Sequence, residues 1–321
     1  MNTMKMLVKR EYWENKGGIF WAQAIVGGFY ALMLVIGITI AMFSVKHGEG
    51  ANFNGVSVHE LSSHMTDSDK REAAQGLAAT YLPSVAPLLI VLAFVVFFYS
   101  LSSLYDDRKD KSILFWKSMP VSDTQTVLSK LFTILVVTPV VPLVIGFFIF
   151  IILFSTIAIA AQTLGVNIAG PALGMSDLYL LPLQILACLP IYIIWAFPSV
   201  AWFMMVSACA PRFPILWAVG IPVIIGVLLS FSAGITGINI PHEWYWENIV
   251  GRLFGGFVPG VWLAAFDVTA NVAVRDHSPN GMDILQASWA ILGYAKVWIA
   301  VALGAGMTYA AIRLRRFRDE G

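Results

Sequence analysis

Charge is what this chain lacks most. Only 12% of its 321 residues are Asp, Glu, Lys or Arg, while 58% are hydrophobic; a soluble domain carries about 25% charged residues. A water-soluble fold this apolar has too few polar groups to cover its surface, so hydrocarbon must replace water around most of it. The net charge of +1 excludes bulk attraction to nucleic acid, and no nucleic-acid partner is expected. Cysteine is also scarce. Cys188 and Cys209 lie in one apolar stretch and read as inert buried thiols, which rules out a disulfide framework or a cysteine metal site.

Two further absences bear on function. No G-x-x-x-x-G-K-[ST] phosphate loop occurs, so the chain does not bind ATP by that route. No Asp or Glu falls inside any long apolar run, whereas proton-coupled carriers usually place an acid there. Some ion couplings use only backbone oxygens.

What is present is a series of apolar runs at about 18–45, 81–104, 131–161, 178–210, 215–236 and 288–312. Each is long enough to span a bilayer, which takes roughly 20 residues. They predict an all-α integral membrane protein of six transmembrane helices, one domain over 1–321. The first run is too long for a signal-peptide core and lacks a small-residue cleavage signature, so it is read as a helix of the mature protein. With the N-terminus inside, fourteen Lys and Arg lie on the cytoplasmic side and five outside. This bias predicts a multi-pass protein of the bacterial inner membrane with both termini cytoplasmic. The remaining cation, Lys296, falls within the sixth run, about eight residues from its outer end. There it either snorkels to the headgroups or binds an anionic substrate. Gln23, Gln184 and Ser199 either line a substrate path with it or bond helix to helix.

The stretch 248–266 is long enough for a seventh span, but Gly255, Gly256, Pro259 and Gly260 interrupt it and Arg252 sits near its start. A seventh span would also put Arg313, Arg315, Arg316 and Arg318 outside. It reads as a broken or re-entrant hairpin on the outer face before span six. His242, Glu243, Trp244, Tyr245 and Trp246 precede it as an interfacial aromatic anchor.

Outside the spans, Met4, Leu7, Val8 and Tyr12 share one helical face beside Lys5, Lys9, Arg10 and Lys16, which predicts an N-terminal amphipathic interfacial helix. The outer loop 46–80 is polar and partly helical near 67–79. Its His59, Glu60 and His64 lack zinc-protease spacing and read as a solvated loop. The inner loop 105–125 begins with mixed charges and continues with an apolar segment, 113–119, that carries Phe115, Trp116 and Met119. Pro120 ends that segment. Ser122 with Gln125 forms a capping box that restarts a helix running through Lys130 into span three. The result is a short cytoplasmic cross-helix between spans two and three, whose apolar side chains either dip into the interface or enter a soluble partner.

The string YDDRKDKSILFWKSMPVSDTQTVLSKL resembles the corresponding loop of the membrane subunits of type-2 ABC exporters. That pattern is a charged cluster, a small residue with an apolar run, a Leu- or Met-Pro-Val-Ser turn, then a helix ending near Ser-Lys. The charged cluster here has Asp and Lys where many relatives have Glu and Gly. The short turn Ala210, Pro211, Arg212, Phe213, Pro214 and the outer hairpin fit the same layout. The resemblance implies a permease that pairs with a second permease subunit, identical or homologous, amid membrane lipid. It also implies two copies of a cytoplasmic ABC ATPase, which carry the ATP and Mg. The loop segment becomes a coupling helix seated in the ATPase, and the residues implied in contact are Asp107, Arg108, Asp110, Lys111, Ser112, Phe115, Trp116, Met119 and Pro120. No cofactor, metal or catalytic activity is expected on this chain. The competing readings are a secondary carrier or channel that works without an ATPase, and an intramembrane enzyme, for which His242 with Glu243 lacks a third member.

Overall fold

A computed structural model describes residues 3–46, 66–110, 121–236, 242–266 and 281–317. It is all-helical, with no strand among the described residues. Six helices are long and apolar enough to cross a membrane: Gly17–Val45, Asp67–Lys109, Asp123–Thr163, Asp177–Cys209, Pro214–Ser232 and Ala295–Phe317. They define a multi-pass membrane protein. The loop with His59, Glu60 and His64, and the apolar segment 113–119, lie outside the described residues.

The first helix, α1 (Thr3–Glu14), passes through a wide π turn at Gly17–Trp21 into α2 (Ala22–Lys46). Its face of Met4, Leu7, Val8 and Tyr12 is its inward one, and it packs against the helix that opens span three. Helix α3 (Asp67–Ala78) begins at Thr66, whose hydroxyl accepts the Asp69 N–H while the Asp69 carboxylate accepts the Thr66 N–H at 2.8 Å. It leads into α4 (Tyr81–Ser102), the second span proper, and then the short α5 (Tyr105–Lys109). Span three opens with α6 (Asp123–Phe132) behind the expected capping box: Ser122 Oγ accepts the Gln125 N–H and Gln125 Oε1 accepts the Ser122 N–H, both at 3.2 Å. A π turn at Thr133–Val137 joins it to α7 (Thr138–Thr163). The turn falls just before Pro139, which has no N–H to donate back along the helix; the Thr138 N–H and hydroxyl both go to the Thr133 carbonyl instead.

Beyond α7, α8 (Ala169–Leu173) packs on α3 through Ala74, Leu77, Val166, Ile168 and Ala172. Span four is α9 (Asp177–Ala187) and α10 (Leu189–Cys209), and the tight turn after it leads into α11 (Pro214–Thr236). The hairpin follows as α12 (His242–Tyr245), a π turn at Trp246–Val250, α13 (Gly251–Gly255) and the returning α14 (Val261–Ala265). Last come α15 (Gly281–Ala290), a 3-10 turn at Ile291–Gly293, and α16 (Ala295–Phe317).

The sixth span departs from the expectation. It starts at Ala295, not near 288, because the 3-10 turn ends α15 and Tyr294 is extended (φ −89°, ψ 124°). Lys296 is therefore the second residue of its helix, exposed at the end, not eight residues inside it.

The hairpin descends into the helix bundle. Phe254 and Phe257 pack on Phe203 of α10 at ring distances of 6.3 and 5.6 Å, and Phe257 stacks on Phe97 of α4 at 5.5 Å. Phe203 lies fourteen residues past Leu189, roughly 21 Å along the helix at 1.5 Å per residue. Such depth requires close backbone approach. A Cβ on Gly256 would collide with Ser199 Oγ, and Gly260 makes the return turn at φ 86°, a left-handed conformation that favours glycine. Of the three aromatic rings of the anchor, Trp244 alone is exposed. Tyr245 donates to the Pro222 carbonyl and Trp246 to Ser230 Oγ, each at 3.0 Å, which ties the hairpin to α11.

The core centres on α10, which packs along α16 and against α4, with Tyr192, Trp195, Val200 and Met204 buried. By contrast, the most apolar stretches of α2 and α11 are only 11% and 17% buried. Ile25, Phe29 and Ile40 on the one, and Leu216, Ile224 and Phe231 on the other, need hydrocarbon or another protein to cover them.

Candidate functional site

The most organised polar structure lies at one end of the bundle, where α1, α5, α6 and the end of α16 converge. Glu11 sits on the packed face of α1, four residues after Leu7, and is fully buried. One of its oxygens accepts from Lys130 Nζ and from the Tyr99 hydroxyl, both at 3.1 Å, and the other pairs with Arg10. Lys130 also approaches Asp107 at 3.4 Å. Asp107 accepts from Arg315 at 2.7 Å, and Arg315 reaches Asp123 at 3.3 Å. The side chains of Lys130 and Arg315 are 4% and 3% exposed, so these charges persist only because each meets an opposite charge. Nearby, burial raises the Glu14 carboxyl above its ordinary value, and the adjacent Arg10 partly offsets this.

A second anchor holds the α4–α5 junction. Ser207 Oγ accepts the N–H groups of Leu104 and Tyr105 at 3.1 and 2.9 Å, and Arg108 donates to the carbonyls of Ser207 and Ala210 at 2.7 and 2.9 Å. A guanidinium on the last carbonyls of α10 both satisfies them and opposes the helix dipole. Residues 111–120 thus connect two anchored ends: α5, tied to α10, and α6, tied to α1 and α16.

Among the expected contact residues, Asp107 and Arg108 are engaged inside the protein and Asp110 is exposed. Lys111, Ser112, Phe115, Trp116, Met119 and Pro120 lie outside the described residues. The four expected path residues are not brought together. Ser199 is buried and donates to the Arg252 carbonyl at 3.0 Å, pinning the hairpin. Gln184 lies against Gly281 at the start of α15. Gln23 is fully buried in the first span, with neither amide atom hydrogen-bonded. Lys296 lines a separate cavity under the hairpin. Neither Cys188 nor Cys209 is in a disulfide. No group of three or more His, Cys, Asp and Glu that could hold a metal ion occurs among the described residues.

The buried charge network is the feature that sequence reasoning missed. A signal for it exists: Glu11 completes the Met4, Leu7, Val8, Tyr12 face, where an unpaired acid would be expensive, so a buried cation had to be found for it.

Comparison with protein families, with curated proteins and with solved structures finds no match for this chain.

Proposed function

We propose that this chain is the membrane subunit of an ATP-driven exporter of the type-2 ABC permease superfamily. In this reading it forms the substrate path in the bacterial inner membrane and docks a separate cytoplasmic ATPase. The observation that carries the reading is the construction of the 105–132 connection. The residues on either side of 111–120 are held by buried ion pairs and helix-end hydrogen bonds to α1, α10 and α16. A segment held this way passes an applied push to these three helices, as a coupling helix must. The string that resembles the exporter loop is the same stretch of chain.

Three features support the rest. The amphipathic α1, the short α5, the start of α6 and the basic end of α16 meet at one end of the bundle, in keeping with termini and coupling segment all in the cytoplasm. The hairpin descends from the other end before span six. The uncovered apolar faces of α2 and α11 suit lipid and a second permease subunit. ATP and Mg belong to the ATPase, because this chain has no phosphate loop.

The test is co-purification with a co-expressed ABC ATPase from the same organism. The expected assembly holds two permeases and two ATPases, and the chain alone hydrolyses no ATP. A single copy that transports without any ATPase contradicts the proposal and favours a secondary carrier or channel.

A further inference from the structure

We propose that the cavity under the hairpin binds an anionic amphiphile, with Arg252 and Lys296 taking its headgroup. The cavity has a volume of about 550 Å³, and Trp195, Trp244, Arg252, Phe266, Lys296 and Leu303 are among its walls, a size typical of small-molecule sites. Its polar chemistry is one-sided. The Arg252 guanidinium lies 3.1 Å from the centroid of the Trp195 ring, and Lys296 Nζ lies 4.1 Å from that of Phe266. Both terminal nitrogens of Arg252 are buried without a hydrogen-bond acceptor, as is Trp195 Nε1 in a side chain only 4% exposed. Cation–π contact offsets part of the cost of a buried guanidinium but satisfies none of its N–H donors.

The complement of two cations lining one cavity is an oxyanion, which a guanidinium takes with two parallel hydrogen bonds. Among the described residues, Glu247 is the only acid on the cavity wall. It is exposed and forms no ion pair with either cation. The described walls carry two cations against this one acid.

The remaining walls argue for an amphiphile over a free anion. From Lys296 the cavity runs down α16 past Ile299 and Ala300 to Leu303, roughly 10 Å at 1.5 Å per residue. Ile299 and Leu303 are 62% and 58% exposed, so this wall continues onto the face that meets lipid. A phosphate or carboxylate headgroup at the cations would lay its acyl chain along that face. This inference goes beyond the exporter reading and stands without it.

The test uses the full-length chain in detergent, without any ATPase, and counts bound lipid by native mass spectrometry. Phosphatidylglycerol is titrated against phosphatidylcholine of the same acyl chains. One phosphatidylglycerol per chain is expected, bound at least about tenfold more tightly than phosphatidylcholine, whose choline cation offsets the phosphate charge and is repelled by Arg252 and Lys296. Lys296→Gln, an exposed substitution that leaves folding intact, should weaken it several-fold. Arg252→Gln should weaken it about tenfold or more, while Arg252→Lys retains part of the affinity. Lys70→Gln and Arg71→Gln, at the same end of the bundle, should change nothing. Equal retention of the two lipids, or full affinity in Lys296→Gln, overturns the proposal. So does complete displacement by millimolar inorganic phosphate, which would mark a free-anion site. None of these results bears on ATPase docking.

Discussion

Replacing Glu11 by Leu tests how the charged end is held. The substitution leaves Lys130 buried with Asp107 alone, 3.4 Å away, and strips the Tyr99 hydroxyl of its acceptor. Removing one partner of a buried pair costs about 3–5 kcal/mol, because the other charge stays in a poor solvent. At about 2–4 °C per kcal/mol for a chain of comparable size, the melting temperature should fall by roughly 10 °C. Lys130→Met, which leaves Glu11 with Arg10 and Tyr99, should cost a similar amount. The double variant Glu11→Leu with Lys130→Met is the informative one. It removes both charges and fills the site with apolar groups, so it should be less destabilised than the two single variants summed, by at least about 1 kcal/mol. The assay is thermal unfolding of the purified chain, followed by size-exclusion profile after heating. Single variants that each cost under about 1 kcal/mol, or a double variant equal to the sum, would refute the network as the anchor of α1 to α6.

Two further predictions concern the hairpin and the topology. Gly256→Ala puts a Cβ against Ser199 Oγ and should destabilise the chain by about 1–3 kcal/mol. Adding Ser199→Ala should recover only part of the loss, because the Arg252 carbonyl still crowds the new methyl; thermal unfolding checks both. A membrane-impermeant thiol reagent should label a cysteine at Asn54 or Asn280 in intact cells and reach one at Ser118 only after permeabilisation. Labelling at Ser118 in intact cells would reverse the orientation.

The spans were legible because hydrocarbon imposes a length and composition that a one-dimensional scan detects. Ser122 and Gln125 were legible for another reason: a capping box is local, and three residues of spacing define it. The hairpin was also readable, since Gly255, Gly256, Pro259 and Gly260 interrupt an apolar run. Its depth was not, because that depends on Phe254 and Phe257 meeting Phe97 and Phe203 from distant parts of the chain. The start of span six was misplaced for a related reason. Residues 288–294 are as apolar as a span, and only the extended backbone at Tyr294 separates them from α16. The Glu11, Lys130, Asp107 and Arg315 network brings together residues up to 304 positions apart, and no periodicity encodes such pairing. Asp107 and Arg108 read as contact residues from the exporter-like string. In the fold they secure the base of the segment that carries Phe115 and Trp116.

The most direct measurement of the central claim is ATPase retention by Phe115→Ala with Trp116→Ala. Aromatic anchors at interfaces cost on the order of 2 kcal/mol or more when truncated, a loss of roughly 30-fold or more in docking affinity. Both residues lie outside the apolar runs, so membrane insertion and expression should stay near normal. The double variant should lose the ATPase on purification and cease to export, while Lys70→Ala, at the far end, should do neither. A double variant that keeps the ATPase at normal stoichiometry and still exports would contradict the account.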